Sequence, residues 1–102
     1  MGGLTTDPEE ARRSPIRPDG QQETYVVLSD EERAQGFVRP VRRSYVHEVC
    51  GTVTTMGIAI AETYARDPSF YGATFCVACR GHFPVGPQGQ FTWSGTTEKV
   101  GS

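Results

Sequence analysis

The chain has 102 residues, of which 36% are hydrophobic, with 12 glycines, 7 prolines and a formal net charge of −2. That length holds one domain at most, and so polar a chain calls for a staple: a metal, disulfides or a partner. The charge excludes strong non-specific attraction of the whole molecule to nucleic acid, and no apolar run approaches the roughly 18 residues of a membrane span.

In chain order, residues 1–23 carry only Met1, Leu4, Ala11 and Ile16 as apolar side chains, with Pro8, Pro15 and Pro18. Such a segment buries too little surface to offset its ordering entropy, so a flexible N-terminal arm is expected, ahead of a domain at 24–102. Residues 24–28, "TYVVL", are β-branched and aromatic and predict a strand. Ser29 followed by Glu32 forms a capping-box pattern, and Gly36 supplies a stop, so a short helix is expected between them.

"FVRPVRRSYVHEV" reads as extended, with Pro40 confining it to an edge or bend. A helix is expected over about 54–66, capped by Thr54 or Thr55, with Met56, Ile60 and Tyr64 on one face and Asp67-Pro68 ending it. "YGATFCV", "HFPV" and "FTW" predict short strands, and "GPQG" at 86–89 is the expected turn of a hairpin between the last two. Trp93 is expected to close the core over that hairpin.

The three cysteines cannot all pair within one chain, and the N-terminus has no apolar signal core, so an intracellular setting with reduced thiols is expected. Two of them form Cys76-Val77-Ala78-Cys79; the third stands in His47-Glu48-Val49-Cys50, followed directly by Gly51. A two-residue gap lets the backbone curl so that both side chains of a pair point inward from one turn, the way structural zinc takes its four tetrahedral ligands. Glycine after each pair, Gly51 and Gly81, suits a positive φ and backbone N–H groups aimed at sulfur. His47, Cys50, Cys76 and Cys79 are therefore the expected ligands of one structural Zn²⁺. His82 is the rival nitrogen donor, but it would crowd three ligands into seven residues.

Other chemistry is less well served. A redox CxxC opens a helix, whereas "RGHFPVGP" after Cys79 cannot continue as one. Catalytic zinc keeps an open position and a nearby base; four protein ligands close the site and leave only Glu48 beside it, so no enzyme is expected. Arg39, Arg42 and Arg43, near Phe37 and Tyr45, form a modest candidate nucleic-acid surface against 12 acidic residues.

The pairs His47/Cys50 and Cys76/Cys79 with a following hairpin resemble the zinc-ribbon family, departing from a plain ribbon in the helix between them. The resemblance implies an α+β fold: a small zinc ribbon with two knuckles, one inter-knuckle helix and a C-terminal β-hairpin. More loosely, residues 25–85, from "YVVLSDEERAQGF" to "FCVACRGHFPV", resemble small proteins of tailed phages and prophages. That likeness implies a protein-interaction module, a minor virion component or a binder of a host complex, in the virion or the host cytoplasm. Protein partners are expected, nucleic acid stands as the alternative and thiol redox chemistry as the third reading; neither a membrane nor a small-molecule substrate is expected.

Overall fold

The computed structural model describes residues 3–102. Residues 3–23 depart from the flexible arm that the composition of 1–23 predicts. Gly3–Thr5 forms strand β1, which pairs in parallel with β2, Thr24–Val26, in the register Leu4↔Tyr25. Between them runs helix α1, Pro8–Arg12. Asp7 caps it, accepting the Glu9 N–H at 2.9 Å, and Pro8 occupies a first-turn position where its missing N–H costs nothing. The return path is held by polar bonds: Gln22 Nε2 donates to the Ala11 carbonyl (3.0 Å), and the Thr24 N–H to Ser14 Oγ (2.7 Å). Backbone pairing supplies here what apolar burial does not, and among the segment's described apolar side chains only Ala11 is buried.

Ser29 caps α2, Asp30–Arg33, accepting the Glu32 N–H at 3.2 Å, as the capping pattern predicts. Of the long stretch expected to be extended, only Ser44–His47 becomes a strand, β3. Ahead of it, the Val38 and Arg39 N–H groups both bond the Ala65 carbonyl at the end of the next helix. Val53–Thr55 is β4, antiparallel to β3 with Tyr45 opposite Thr54. The helix expected from 54 therefore starts later, as α3, Ile58–Arg66, with Gly57 at its N-cap. β-Branched Val53, Thr54 and Thr55 favour the pleated surface that β3 offers over a helix's first turn.

Ala73–Cys76 (β5) and Gly81–Pro84 (β6) form an antiparallel hairpin whose turn holds Cys79. The hairpin expected between "HFPV" and "FTW" does not form. β7, Phe91–Trp93, crosses instead to β3, giving the sheet order β4-β3-β7. The turn at Gly86–Gly89 is present, but it redirects the chain from one sheet to the other. The pairing Tyr45↔Trp93 and His47↔Phe91 explains the choice, because it puts four rings on one face of the sheet.

That face is the core. Tyr45, Met56, Ala61, Tyr64, Cys76, Phe91, Trp93 and Val100 cluster there, with Ile60 packed against them. Ile60 and Tyr64 thus face inward as their helical spacing predicts, while Met56 reaches the core from the segment before α3. Trp93 stands edge-on to Tyr64 (centroids 5.7 Å, 88°) and to Tyr45 (6.4 Å, 90°), an arrangement that adds to simple burial. The result is a small α+β fold with a radius of gyration of 12.8 Å, about what a compact chain of this length has. No helix among the described residues is long and apolar enough to cross a membrane.

Candidate metal centre

Strands place the four predicted side chains. In a strand successive side chains alternate faces, and residues opposite one another in an antiparallel pair share a face. His47 ends β3 on the same face as Tyr45 and its partner Phe91. Cys76 ends β5 on the same face as Thr74 and its partner Phe83. These two faces pack together, so His47 is stacked between Phe91 (4.6 Å, 22°) and Phe83 (4.7 Å, 29°).

Each of the two strands then enters a turn of the same construction. The Gly51 N–H returns to the His47 carbonyl (2.7 Å), and the Arg80 N–H to the Cys76 carbonyl (2.8 Å). In both, the residue after the second member of the pair has positive φ: 75° at Gly51 and 56° at Arg80. The expected glycine freedom is therefore used at Gly51, while in the second turn Arg80 takes the left-handed conformation and Gly81 does not. In the second turn the Cys79 N–H also points at Cys76 Sγ (3.4 Å).

The outcome is one cluster. Cys50 Sγ lies 3.4 Å from His47 Nδ1 and 3.5 Å from Cys76 Sγ, and Cys79 Sγ lies 3.5 Å from His47 Nδ1. One donor atom from each of the four residues falls within 4.8 Å of all the others. His47 and Cys76 are buried, whereas Cys50 and Cys79 are exposed, so the cluster sits at the edge of the core with one side toward solvent. A His/Cys₃ set so arranged could hold a metal ion.

The surroundings fix the histidine. His47 Nε2 is 2.7 Å from Gln90 Oε1, which can only accept, so the ring proton sits on Nε2 and the Nδ1 lone pair faces the three sulfurs. A buried imidazole oriented by a hydrogen bond at its far nitrogen is the usual condition of a metal-ligating histidine. Glu48, next to His47 in sequence, accepts from Lys99 Nζ (2.6 Å).

The sulfurs differ in their readiness to ionise. The Thr52 backbone N–H holds the Cys50 thiol down to about 6, whereas desolvation and then the Cys76 and Cys50 sulfurs push Cys79 up to about 11. Crowded thiols resist becoming thiolates together, and a bound cation is what relieves that resistance.

His82, the rival donor, lies elsewhere. It pairs with Phe75 and so shares the face of β5–β6 opposite to Cys76. There its Nε2 shares a hydrogen bond with Tyr25 Oη (2.9 Å), tying β2 to β6, and desolvation lowers its pKa. Gly20, φ +95°, approaches the second turn from the N-terminal segment so closely that a Cβ would lie 2.2 Å from the Arg80 carbonyl oxygen. The cluster is thus braced by residues expected to be a free arm.

The three arginines have other work. Arg42 lies over the Trp93 ring at 4.9 Å and donates to Glu98 (3.1 Å). Arg43 donates to the Met56 carbonyl (3.0 Å), and Arg39 to the Ser102 and Val38 carbonyls (3.4 and 3.1 Å). Tyr45, counted beside them in that candidate surface, is buried with its hydroxyl donated to the Phe75 carbonyl (2.6 Å). After Cys79 the chain enters β6 rather than a helix, so "CVAC" lacks the helix N-terminus that activates a redox thiol.

Gln90, Phe83, Phe91 and Thr52 carried no signal in the sequence. A glutamine 43 positions from His47 meets it only because β7 crosses to β3. Comparison of the chain with protein-family models, with curated proteins and with solved structures finds no match.

Proposed function

We propose that His47, Cys50, Cys76 and Cys79 hold one structural Zn²⁺ in a zinc-ribbon-like centre, and that the chain is a small phage-type protein-interaction module built around it. The observation that carries the metal reading is the cluster's dimensions. Zinc bonds of about 2.3 Å to sulfur and 2.0–2.1 Å to nitrogen, set tetrahedrally, require donor separations of about 3.8 Å between sulfurs and 3.5 Å between sulfur and nitrogen. Three of the six separations are close to these values, 3.5 Å for Cys50–Cys76 and 3.4 and 3.5 Å from His47 Nδ1 to Cys50 and Cys79, and all six lie within 4.8 Å. Three thiolates and one imidazole suit zinc over the hard cations, and the twin turns are what two knuckles would require.

Four protein donors fill a tetrahedral shell, so the role is structural. Bound there, the metal would join β3 to the β5–β6 hairpin and contribute on the order of 10 kcal/mol to folding at neutral pH. The chain's own contribution is to bury His47, fix its proton on Nε2 through Gln90, and curl two turns so that all donors converge.

The interaction role, in a virion or with a host complex, is supported by the resemblance of residues 25–85 to small tailed-phage proteins. Engagement of the three arginines within the fold is why the nucleic-acid reading ranks second. Two experiments test the proposal. Replacing zinc with Co²⁺ should give the intense visible absorption of a tetrahedral thiolate site; weak octahedral bands would contradict it. Recovery of the chain at fixed stoichiometry in purified virions, or in one defined host complex, would support the interaction role; recovery with nucleic acid alone, lost in moderate salt, would replace it.

A further inference from the structure

The sulfurs of the cluster meet solvent unequally. Cys50 and Cys79 are exposed, whereas Cys76 is wholly buried, with its Sγ 3.5 Å from that of Cys50. The two sulfurs in contact belong to different elements, Cys50 to the turn between β3 and β4 and Cys76 to the end of β5. A dissolved oxidant therefore reaches Cys50, and the sulfur of Cys76 already lies against it from within. An accessible thiol beside a second thiol that resolves its oxidised form is the arrangement of a redox sensor. A disulfide holds its sulfurs at about 2.05 Å, so closing the gap from 3.5 Å asks only a small movement of a surface turn. Cys79, the other exposed thiol, lies against His47 Nδ1 instead (3.5 Å).

We infer that the centre is also a peroxide-sensitive switch, in which Cys50 and Cys76 are oxidised to a disulfide and the metal is released. The inference rests on the reading of the cluster as a zinc site and names how that site is regulated. A coordinated thiol is held as the thiolate, the form that attacks peroxides, so no helix N-terminus is needed to activate it. The Cys50 thiolate attacks one oxygen of hydrogen peroxide; the O–O bond breaks, hydroxide leaves and Cys50 becomes a sulfenic acid. The Cys76 thiolate then attacks the Cys50 sulfur; the S–S bond forms, the S–O bond breaks and a second hydroxide leaves. The two sulfurs have lost two electrons, the peroxide has gained them, and two protons from solvent turn the hydroxides into water. Only His47 and Cys79 then remain as donors, too few for a tetrahedral shell.

The oxidised chain keeps its core closed. The disulfide ties the first turn to the end of β5, a junction that the metal also spans. The remainder of the second turn, residues 77–80, loses its anchor, because Cys79 no longer has a partner. Gly20 is fitted against the Arg80 carbonyl in that turn, so slackening there reaches the N-terminal segment.

The test uses the full chain, its zinc content measured beforehand, treated with equimolar hydrogen peroxide beside a chromophoric zinc chelator. Remaining thiols are blocked with iodoacetamide and tryptic peptides are mapped without reduction. One zinc should be released per disulfide formed, with peptide 44–66 joined to peptide 67–80 and the alkyl group on Cys79. Dimedone present during oxidation should label Cys50. Amide hydrogen exchange should rise at 77–80 while β3 stays protected, and dithiothreitol with added zinc should reverse every change. A zinc-loaded chain whose disulfide lies within 67–80 or joins two chains, whose dimedone label falls on Cys79, or which keeps its zinc overturns the inference and leaves the metal reading standing. A chain that holds no zinc before treatment sinks the metal reading, and the inference with it.

Discussion

Gln90 provides the sharpest test of how the centre is built, because it touches no sulfur and acts only through His47. Its Oε1 accepts the Nε2 proton at 2.7 Å inside a stack of two phenylalanines, where no water replaces it readily. Gln90→Ala leaves that buried N–H unsatisfied, a penalty of about 1–3 kcal/mol, and frees the ring to take the other tautomer, which cannot bind through Nδ1. Loss of such an orienting bond lowers metal affinity by about 10- to 100-fold, or about 1.4–2.7 kcal/mol, in line with that penalty. Gln90→Glu keeps an acceptor in place and should hold zinc at least as well as the native chain. The assay is competition for zinc against a chromophoric chelator, with folding of each variant checked by circular dichroism. An affinity for Gln90→Ala within twofold of native would refute the argument that His47 is oriented through its far nitrogen.

Three further outcomes follow from the packing. Gly20→Ala places a Cβ 2.2 Å from the Arg80 carbonyl oxygen at φ +95°, so it should lower stability by more than the 1–2 kcal/mol of a left-handed residue alone. Its hydrogen exchange should rise first in residues 3–26; unchanged exchange there would mean the segment is not docked on the second turn. Tyr45→Phe removes a buried 2.6 Å bond to the Phe75 carbonyl, next to Cys76, and should cost about 1–3 kcal/mol in urea denaturation without changing the zinc stoichiometry. Arg42→Ala, which strips the cover from Trp93, should destabilise measurably, whereas Arg39→Ala should not; equal small effects would restore the arginines as a free surface.

The clustering of His47, Cys50, Cys76 and Cys79 was legible because two-residue spacing is a local property: a turn that points side chains i and i+3 inward does so wherever it stands. The choice between His47 and His82 was not decided by spacing alone. It is decided by strand parity, since His82 sits opposite Phe75 and therefore on the wrong face of the β5–β6 hairpin. The helix face of Ile60 and Tyr64 was readable for the same local reason, and the Ser29 cap likewise, whereas Met56 reaches the core from the segment ahead of α3.

What misled was non-local. "HFPV" and "FTW" around "GPQG" look like a hairpin, but the aromatic face that Tyr45 and His47 offer to Trp93 and Phe91 pulls the second strand to another sheet. The N-terminal segment has too few apolar residues to predict order. Its structure comes from backbone bonds to β2, a capped helix turn and one glycine fitted to Arg80, none of which registers as hydrophobic periodicity.

The most direct measurement is the metal content of the purified, reduced protein by inductively coupled plasma mass spectrometry, with His47→Ala and His82→Ala alongside. The account predicts one zinc per chain in the native protein and in His82→Ala, and loss or marked weakening in His47→Ala. A metal-free native chain that nonetheless folds, or zinc lost in His82→Ala and kept in His47→Ala, would contradict it.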